Sequence, residues 1–300
     1  MPQSFYTQVP TYAHTQRIVA WLTEHYPELH VFPIGKSVLG RNINALSIGN
    51  PMGATLFVGA VHGLEWLTCL LLLRFCENLL EALRNGGEIS EINLQKAMQN
   101  RSLVIVPCLN PDGVEIALCG KAGALELGEE VARICNRDYS RWQANAHGVD
   151  LNHNFDAGWN TLKELELASG INAPAPRRYG GEYPHSEPES EAAVTFCMTY
   201  RPHALYAFHS QGEEIYYSYG AKTPKRSRAI AQILSASSGY AVAKPTGLAS
   251  HGGLKDWFVE QFQLPGFTIE VGLGKNPLGL AMLDGIYQKI EEMLIIATLL

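Results

Sequence analysis

The stretch Ala54-Thr55-Leu56-Phe57-Val58-Gly59-Ala60-Val61-His62-Gly63-Leu64-Glu65-Trp66 decides the fold. It opens as a continuous apolar run, the pattern of a strand buried on both faces inside a parallel sheet. It ends in His62 and Glu65, and a long apolar segment suited to a helix follows at once. Three residues apart means neighbours on one helical face or the two arms of one tight turn, so an imidazole and a carboxylate converge on one point. Both are zinc ligand types, and the carboxyl ends of parallel strands are where such sheets carry their sites. His-x-x-Glu also reads as a solvated histidine and a glutamate favoured at a helix N-terminus. The stretch alone leaves both readings open.

The chain has 300 residues, 46% of them apolar, which suits one large α/β domain with a sizeable core. Its formal net charge is −6 and its basic residues do not cluster, which argues against a nucleic-acid surface. Cys69, Cys76, Cys108, Cys119, Cys135 and Cys197 show no C-x-x-C spacing. Free thiols in a reducing compartment are expected rather than a disulfide framework. Met1 to Pro10 lacks the plan of a signal peptide, and no apolar run is long enough to span a bilayer. The expected location is the cytoplasm.

Working outward, Thr11 is placed to cap a helix running to about Tyr26. Strands are predicted near His30 to Ser37 and Asn42 to Ile48, joined by Leu39-Gly40-Arg41. After the helix that follows Glu65, Arg101 to Pro107 predicts a strand and Asn110-Pro111-Asp112-Gly113 a turn. Leu125 to Ile134 predicts a helix, and Ala173 to Pro188 a long loop. A helix starts at Pro188, with acids at its positive end. Ala204 to Phe208 predicts a buried strand, Pro224 to Ser238 and Lys255 to Gln261 helices, Gly266 to Val271 a buried strand, and Leu280 onward an amphipathic helix. Alternating strands and helices predict an α/β fold: an α/β/α sandwich around a central mixed, mostly parallel sheet. No repeat or linker interrupts it, so residues 1–300 read as a single domain.

Three buried strands end in ionisable residues: one at His62 and Glu65, one at His209 and one at Glu270. Two histidines and one glutamate leave the fourth tetrahedral position to water, the arrangement of a catalytic zinc. Such a water has a pKa near 7 and needs a base, a need that Glu270 matches. His14, His25, His30, His147, His185, His203 and His251 have no partner at ligand spacing. Asp112 and Asp150 read as carboxylates that bond turns and backbone.

The sequence resembles the zinc metallocarboxypeptidases of the carboxypeptidase A type over most of its length. The resemblance rests on Gly40-Arg41, His62-x-x-Glu65-Trp66, Pro107-x-x-Asn110-Pro111-Asp112-Gly113, Gly148-Val149-Asp150-Leu151-Asn152-His153-Asn154-Phe155 and Ser186-Glu187-Pro188-Glu189. It continues through His209-Ser210, Gly252-Gly253-x-x-Asp256-Trp257 and Phe267-Thr268-Ile269-Glu270. It implies that His62, Glu65 and His209 bind one zinc per chain and that Glu270 is the general base. It implies an arginine that polarises the scissile carbonyl: Arg141, with Arg137 as the fallback.

The departures bear on substrate. Carboxypeptidases clamp a terminal α-carboxylate with an Asn-Arg pair; here the pair is Asn152-His153, and an imidazole cannot reproduce a bidentate guanidinium contact. Leu64 stands where an arginine is common, and the mobile tyrosine position falls at or near Leu248. The resemblance puts Lys255, two residues after Gly253, at the base of the specificity pocket, where it suits an acidic group on the substrate; from the residues alone it reads as a solvated helix lysine. This combination resembles one branch, the bacterial γ-D-glutamyl-diaminopimelate peptidases that act on cell-wall peptides. His209-Ser210-Gln211-Gly212-Glu213-Glu214 and Glu270-Val271-Gly272-Leu273-Gly274-x-Asn276-Pro277 also look like that branch. Asn152, His153, Lys255, Gln211 and Glu213 are therefore the expected substrate-binding residues, with Glu213 or Glu214 facing the diaminopimelate amine or forming an exposed pair at a strand start. The expected partner is a murein-derived peptide, with no nucleic acid and no membrane span. The rival readings are an ordinary carboxypeptidase, an aspartoacylase-type zinc deacylase and a muropeptide-binding protein without turnover.

Overall fold

The computed structural model describes residues 3–244 and 246–300. Its centre is an eight-stranded sheet. In chain order the strands are β1 (Leu29–Lys36), β2 (Asn42–Ile48), β3 (Thr55–Val58), β4 (Leu103–Val106), β5 (Ala204–His209), β6 (Glu214–Tyr216), β7 (Ala241–Ala243) and β8 (Gly266–Glu270). Across the sheet they run β1-β2-β4-β3-β5-β8-β6-β7. The inner block β4-β3-β5-β8 is parallel. β1, β2 and β4 join antiparallel, as does β6 to β8, while β6 and β7 pair parallel. The sheet is thus mixed and mostly parallel, as expected.

The inner strands are apolar without interruption because both faces are covered. In β3 and β5 the side chains alternate between two cores. Phe57, Tyr206 and Phe208 enter one, with α2 (Leu67–Asn85) and α9 (Leu283–Leu299). Leu56, Val58, Leu205 and Ala207 enter the other, with α6 (Pro188–Tyr200) and α8 (Leu254–Phe262). Phe57 meets Tyr206 and Phe208 edge-on, with centroids 5.4 and 5.2 Å apart, and Tyr206 stacks on Phe267 at 4.8 Å. Each such pair adds about 0.5–1.5 kcal/mol beyond the area it buries. α2 is buried almost throughout its first four turns, and Gly86 closes it in the left-handed region at φ 65°.

Thr11 caps α1 (Tyr12–His25), accepting from the His14 amide. The Asn110-Pro111-Asp112-Gly113 tetrad is not a free turn. It opens α3 (Pro111–Cys119), with Asn110 as the cap and Pro111 at the first helical position. The helix expected from Leu125 begins only at Gly128 as α4 (Gly128–Ile134), because Leu125 lies at φ 46° and breaks the preceding 3-10 turns. α5 (Trp159–Ala168) was not anticipated in the polar stretch before it, and neither was the short strand β7, whereas β6 begins at Glu214, at the strand start read for the Glu213-Glu214 pair. α7 (Lys225–Ser238) agrees with expectation. Among the described residues, no helix is long and apolar enough to cross a membrane.

Candidate metal centre and its flanking cavities

His62 and Glu65 stand where β3 hands over to α2, on a short 3-10 turn. The hand-over is built tightly. A side chain at Gly63 would sit 2.2 Å from the Gly113 carbonyl oxygen, so only glycine allows this approach of the turn to α3. Ala60 takes φ 44°, a conformation held by its surroundings: its amide bonds Thr68 Oγ1 at 2.8 Å and its carbonyl accepts from Asn110 at 3.0 Å. The Asn110 side chain donates to the Val61, Gln143 and Ala144 carbonyls, fixing the loop from which His62 projects. His209 closes β5, and Glu270 pairs with it in register at the end of β8.

His62, Glu65 and His209 converge. His62 Nδ1 lies 3.0 Å from Glu65 Oε1 and 3.2 Å from His209 Nδ1, and His209 Nδ1 lies 3.0 Å from Glu65 Oε2. A tetrahedral zinc with bonds of about 2.0–2.1 Å spaces its ligand atoms about 3.3 Å apart. Two imidazole nitrogens and a carboxylate at these separations therefore fit one zinc ion. The second nitrogen of His62, Nε2, lies 3.1 Å from Asp150 Oδ1, which sets the tautomer that leaves Nδ1 free to ligate. Asp150 is itself held by the amides of Asn152 and Arg178, at 3.2 and 2.8 Å. Reading Asp150 only as a backbone-bonding carboxylate from the sequence missed this contact with His62. Asp112 matches that reading only in part: it accepts from the Leu39 amide, but also from the Ser37 hydroxyl and from the buried Arg41 guanidinium, with which it forms an ion pair.

Burial opposes charge on His62, but Glu65 and Asp150 outweigh it and raise its pKa well above the usual imidazole value. Burial also opposes ionisation of Glu65, and the two histidines overcome it, holding Glu65 down at about 2. Glu270 goes the other way. Burial and the Glu65 carboxylate push it well above the ordinary carboxylate range against the pull of His62, with Glu214 adding to the rise. A divalent cation on the trio acts in the opposite direction on Glu270.

Two cavities are lined by neighbours of the trio, whose own side chains line neither, and they share no lining residue. One, of about 240 Å³, holds Glu270 together with Asn152, Lys255, Asp256, Tyr216 and Lys244. The other, of about 710 Å³, is lined by Leu64, the neighbour of Glu65, and by Arg141, Arg177, Lys275 and Asn276 among others. Asn276 Oδ1 accepts from the Ser210 hydroxyl at 2.8 Å, and the Ser210 amide donates to Glu65 at 3.3 Å. Arg141 thus reaches a cavity wall beside the metal centre. Arg137 lies exposed, near Glu129, and lines neither cavity.

Several expected substrate contacts are placed differently. His153 is buried, its Nδ1 3.0 Å from the Arg178 carbonyl and 3.3 Å from Glu166 of α5, and it lines neither cavity. Glu213 reaches Lys289 of α9 at 2.5 Å, and Glu214 accepts from Tyr216, so neither forms the wall beside Lys255. Gln211 is exposed beyond the end of β5 and lines neither cavity. The side chain of Leu248 lies outside the described residues. Lys255 does line the Glu270 cavity and is 4% exposed. It is not an isolated ammonium, however. It bonds Asp256 and donates to the Ser218 carbonyl at 3.0 Å. Asn152 stays at the cavity and accepts from the Leu254 amide at 3.1 Å.

A mostly parallel sheet between helical layers, with a His-Glu-His trio at the strand ends, defines a metal-dependent hydrolase of the α/β/α type. Residues 16–294 match the family model described as zinc carboxypeptidase. The chain belongs to the zinc carboxypeptidase family, whose members use one catalytic zinc, and it is a zinc metallopeptidase. It is 35% identical over 266 residues to gamma-D-glutamyl-L-diamino acid endopeptidase 1 of Lysinibacillus sphaericus, covering 88% of this chain and 66% of that protein's length. Its fold matches that of thrombin activatable fibrinolysis inhibitor with a TM-score of 0.76 at 18% identity, over 99% of this chain and 75% of the other. It matches murein-tripeptide amidase from Escherichia coli O157 with a TM-score of 0.53 at 19% identity, over 90% and 92%.

Proposed function

We propose that this protein hydrolyses the bond between the γ-carboxyl of D-glutamate and a diamino acid in bacterial cell-wall peptides, with diaminopimelate as the preferred diamino acid. The observation that carries the reading is the buried Lys255–Asp256 pair on the wall of the cavity that also holds Glu270. The far end of the diaminopimelate side chain bears an ammonium and a carboxylate. A lysine–aspartate pair presents the complementary charges, the ammonium for the carboxylate and the carboxylate for the ammonium. The 35%-identical relative, named for γ-D-glutamyl-L-diamino acid cleavage, supports the same substrate class.

In this reading His62, Glu65 and His209 hold the zinc, and Asp150 orients His62. The metal, when bound, supplies Lewis acidity that makes a water acidic near neutral pH and polarises a carbonyl. Glu270 takes the proton of the attacking water and hands it to the departing amine. The leaving diamino acid therefore sits on the Glu270 side, with Asn152 and Lys255 around it. Arg141 donates to the developing oxyanion from the other side. His209 and Glu270 end neighbouring strands of one eight-stranded sheet, and the turns and helix that carry the other residues in these roles belong to the same fold, which supports treating residues 1–300 as one peptidase domain. The six free thiols support the cytoplasm as its compartment.

The test is a comparison of kcat/KM for matched γ-D-glutamyl peptides ending in diaminopimelate or in lysine. The wild type is expected to favour diaminopimelate. Lys255→Met is expected to narrow that preference by about one to two powers of ten, the worth of one charge-assisted hydrogen bond at roughly 1.5–3 kcal/mol. Because that change strands Asp256, the double variant Lys255→Met/Asp256→Asn is measured beside it. Equal use of both peptides by the wild type, or an unchanged ratio in both variants, would return an ordinary carboxypeptidase or a deacylase to the front.

A further inference from the structure

The larger cavity has a charge pattern that the chemistry above leaves unused. Arg141, Arg177 and Lys275 line it together with Leu64, Ser140 and Gln143, and no carboxylate stands among the lining residues. Among the described residues, none of the three cations forms an ion pair within 4 Å. Arg177 is half-buried, and burial together with the neighbouring Arg141 and Arg178 lowers its pKa. Asp138 acts on Arg141 and Asp150 on Arg177 from outside the lining, but the cavity wall itself carries three cations and no carboxylate, a field that attracts an anion from solvent. The cavity that holds Glu270 differs, since it balances two lysines against two carboxylates.

The position of this cavity says which part of a substrate meets it. Glu270 protonates the leaving amine, so the leaving side occupies its own cavity and the acyl side extends from the scissile carbonyl toward Arg141. In a γ-linked glutamyl residue the acyl side carries a free α-carboxylate, separated from the scissile carbonyl by three carbons. We propose that Arg177 and Lys275 form an anion subsite for this α-carboxylate and make the enzyme selective for an ionised γ-glutamyl acyl group. This inference rests on the substrate class proposed above. It assigns to the acyl side a recognition that the diamino acid cavity does not supply.

The discriminating substrates are a γ-D-glutamyl-diaminopimelate peptide with a free glutamyl α-carboxylate and the same peptide with that group as a carboxamide. The amide keeps shape and linkage and removes only the charge. With the zinc-loaded enzyme, kcat/KM is expected to favour the carboxylate about ten- to a hundredfold, as for loss of a charge-assisted contact. Arg177→Gln and Lys275→Gln are each expected to cut that ratio severalfold, the loss falling on the carboxylate substrate, and Arg177→Lys to restore part of it. The diaminopimelate-over-lysine preference should survive in these variants, which separates subsite loss from general damage. A wild-type ratio near one, or a ratio unmoved in both glutamine variants, overturns the subsite while leaving the γ-glutamyl peptidase reading intact. Failure of the wild type to cleave either peptide refutes that reading and the subsite with it.

Discussion

Replacing Asp150 with asparagine isolates the support of the metal centre from its ligands. The Asp150 carboxylate accepts three hydrogen bonds. Oδ1 takes His62 Nε2 at 3.1 Å and the Asn152 amide at 3.2 Å, and Oδ2 takes the Arg178 amide at 2.8 Å. Asparagine has only one acceptor oxygen. If that oxygen faces His62, the new NH2 meets the Arg178 N–H donor to donor. If it turns round, the clash moves to His62 and Asn152. Either arrangement leaves a buried donor unpaired, at a cost of about 1–3 kcal/mol, and also removes the negative charge that raises the basicity of His62. A ligand-orienting partner of this kind is worth about ten- to a hundredfold in metal affinity, or roughly 1.4–2.7 kcal/mol. Asp150→Asn should therefore bind zinc that much more weakly with its ligands intact. The assay is competition of wild type and variant against a zinc chelator of known affinity, with circular dichroism to check the fold. An affinity within threefold of wild type, in a folded variant, would refute the argument that Asp150 sets the His62 tautomer.

Glu270→Gln should keep zinc and fold but lose two or more powers of ten in kcat, checked by metal content and single-turnover rates. Near wild-type turnover would remove Glu270 from the role of base. Glu189 of α6 gives a prediction about stability. Burial pushes it up to about 7 against the hydrogen bond from Asn145, so the folded protein holds a proton that the unfolded chain releases near pH 4.5. The native state then binds more protons across that window, and stability falls as pH rises from about 4.5 to 7, by about 3 kcal/mol in all. Glu189→Gln should flatten this part of the profile in thermal melts, and an unchanged slope would contradict it.

The inner strands and the metal trio were legible because a strand buried on both faces is a continuous apolar run, and its ionisable terminus stands out. β5 and β8 end this way, at His209 and Glu270, and β3 leads through a short turn to His62. The Asn110 tetrad was ambiguous for a physical reason: Asn-Pro-Asp-Gly satisfies both a turn and a capped helix start. The choice was made by carbonyls from Val61, Gln143 and Ala144, distant in sequence, that the Asn110 side chain binds. β6 and β7 have three residues each, too few to show a period. Side-chain direction was the main thing not legible. His153 turns to Glu166, on a helix that the polar sequence did not announce, and Glu213 turns to Lys289 far along the chain. Adjacent helical residues point apart, so sequence spacing gave no sign that the long Lys255 side chain folds back onto Asp256. The cluster of Arg141, Arg177 and Lys275 joins three loops whose meeting depends on the whole fold.

The central claim is tested most directly by digesting L-alanyl-γ-D-glutamyl-diaminopimelate with the zinc-loaded protein and identifying the products by mass, with a chelated sample alongside. The account predicts L-alanyl-D-glutamate and free diaminopimelate as the products, formed only in the metal-loaded sample and restored when zinc is returned. Cleavage of an ordinary α-linked peptide ending in phenylalanine at a comparable rate, or an intact tripeptide under conditions where zinc is bound, would contradict it.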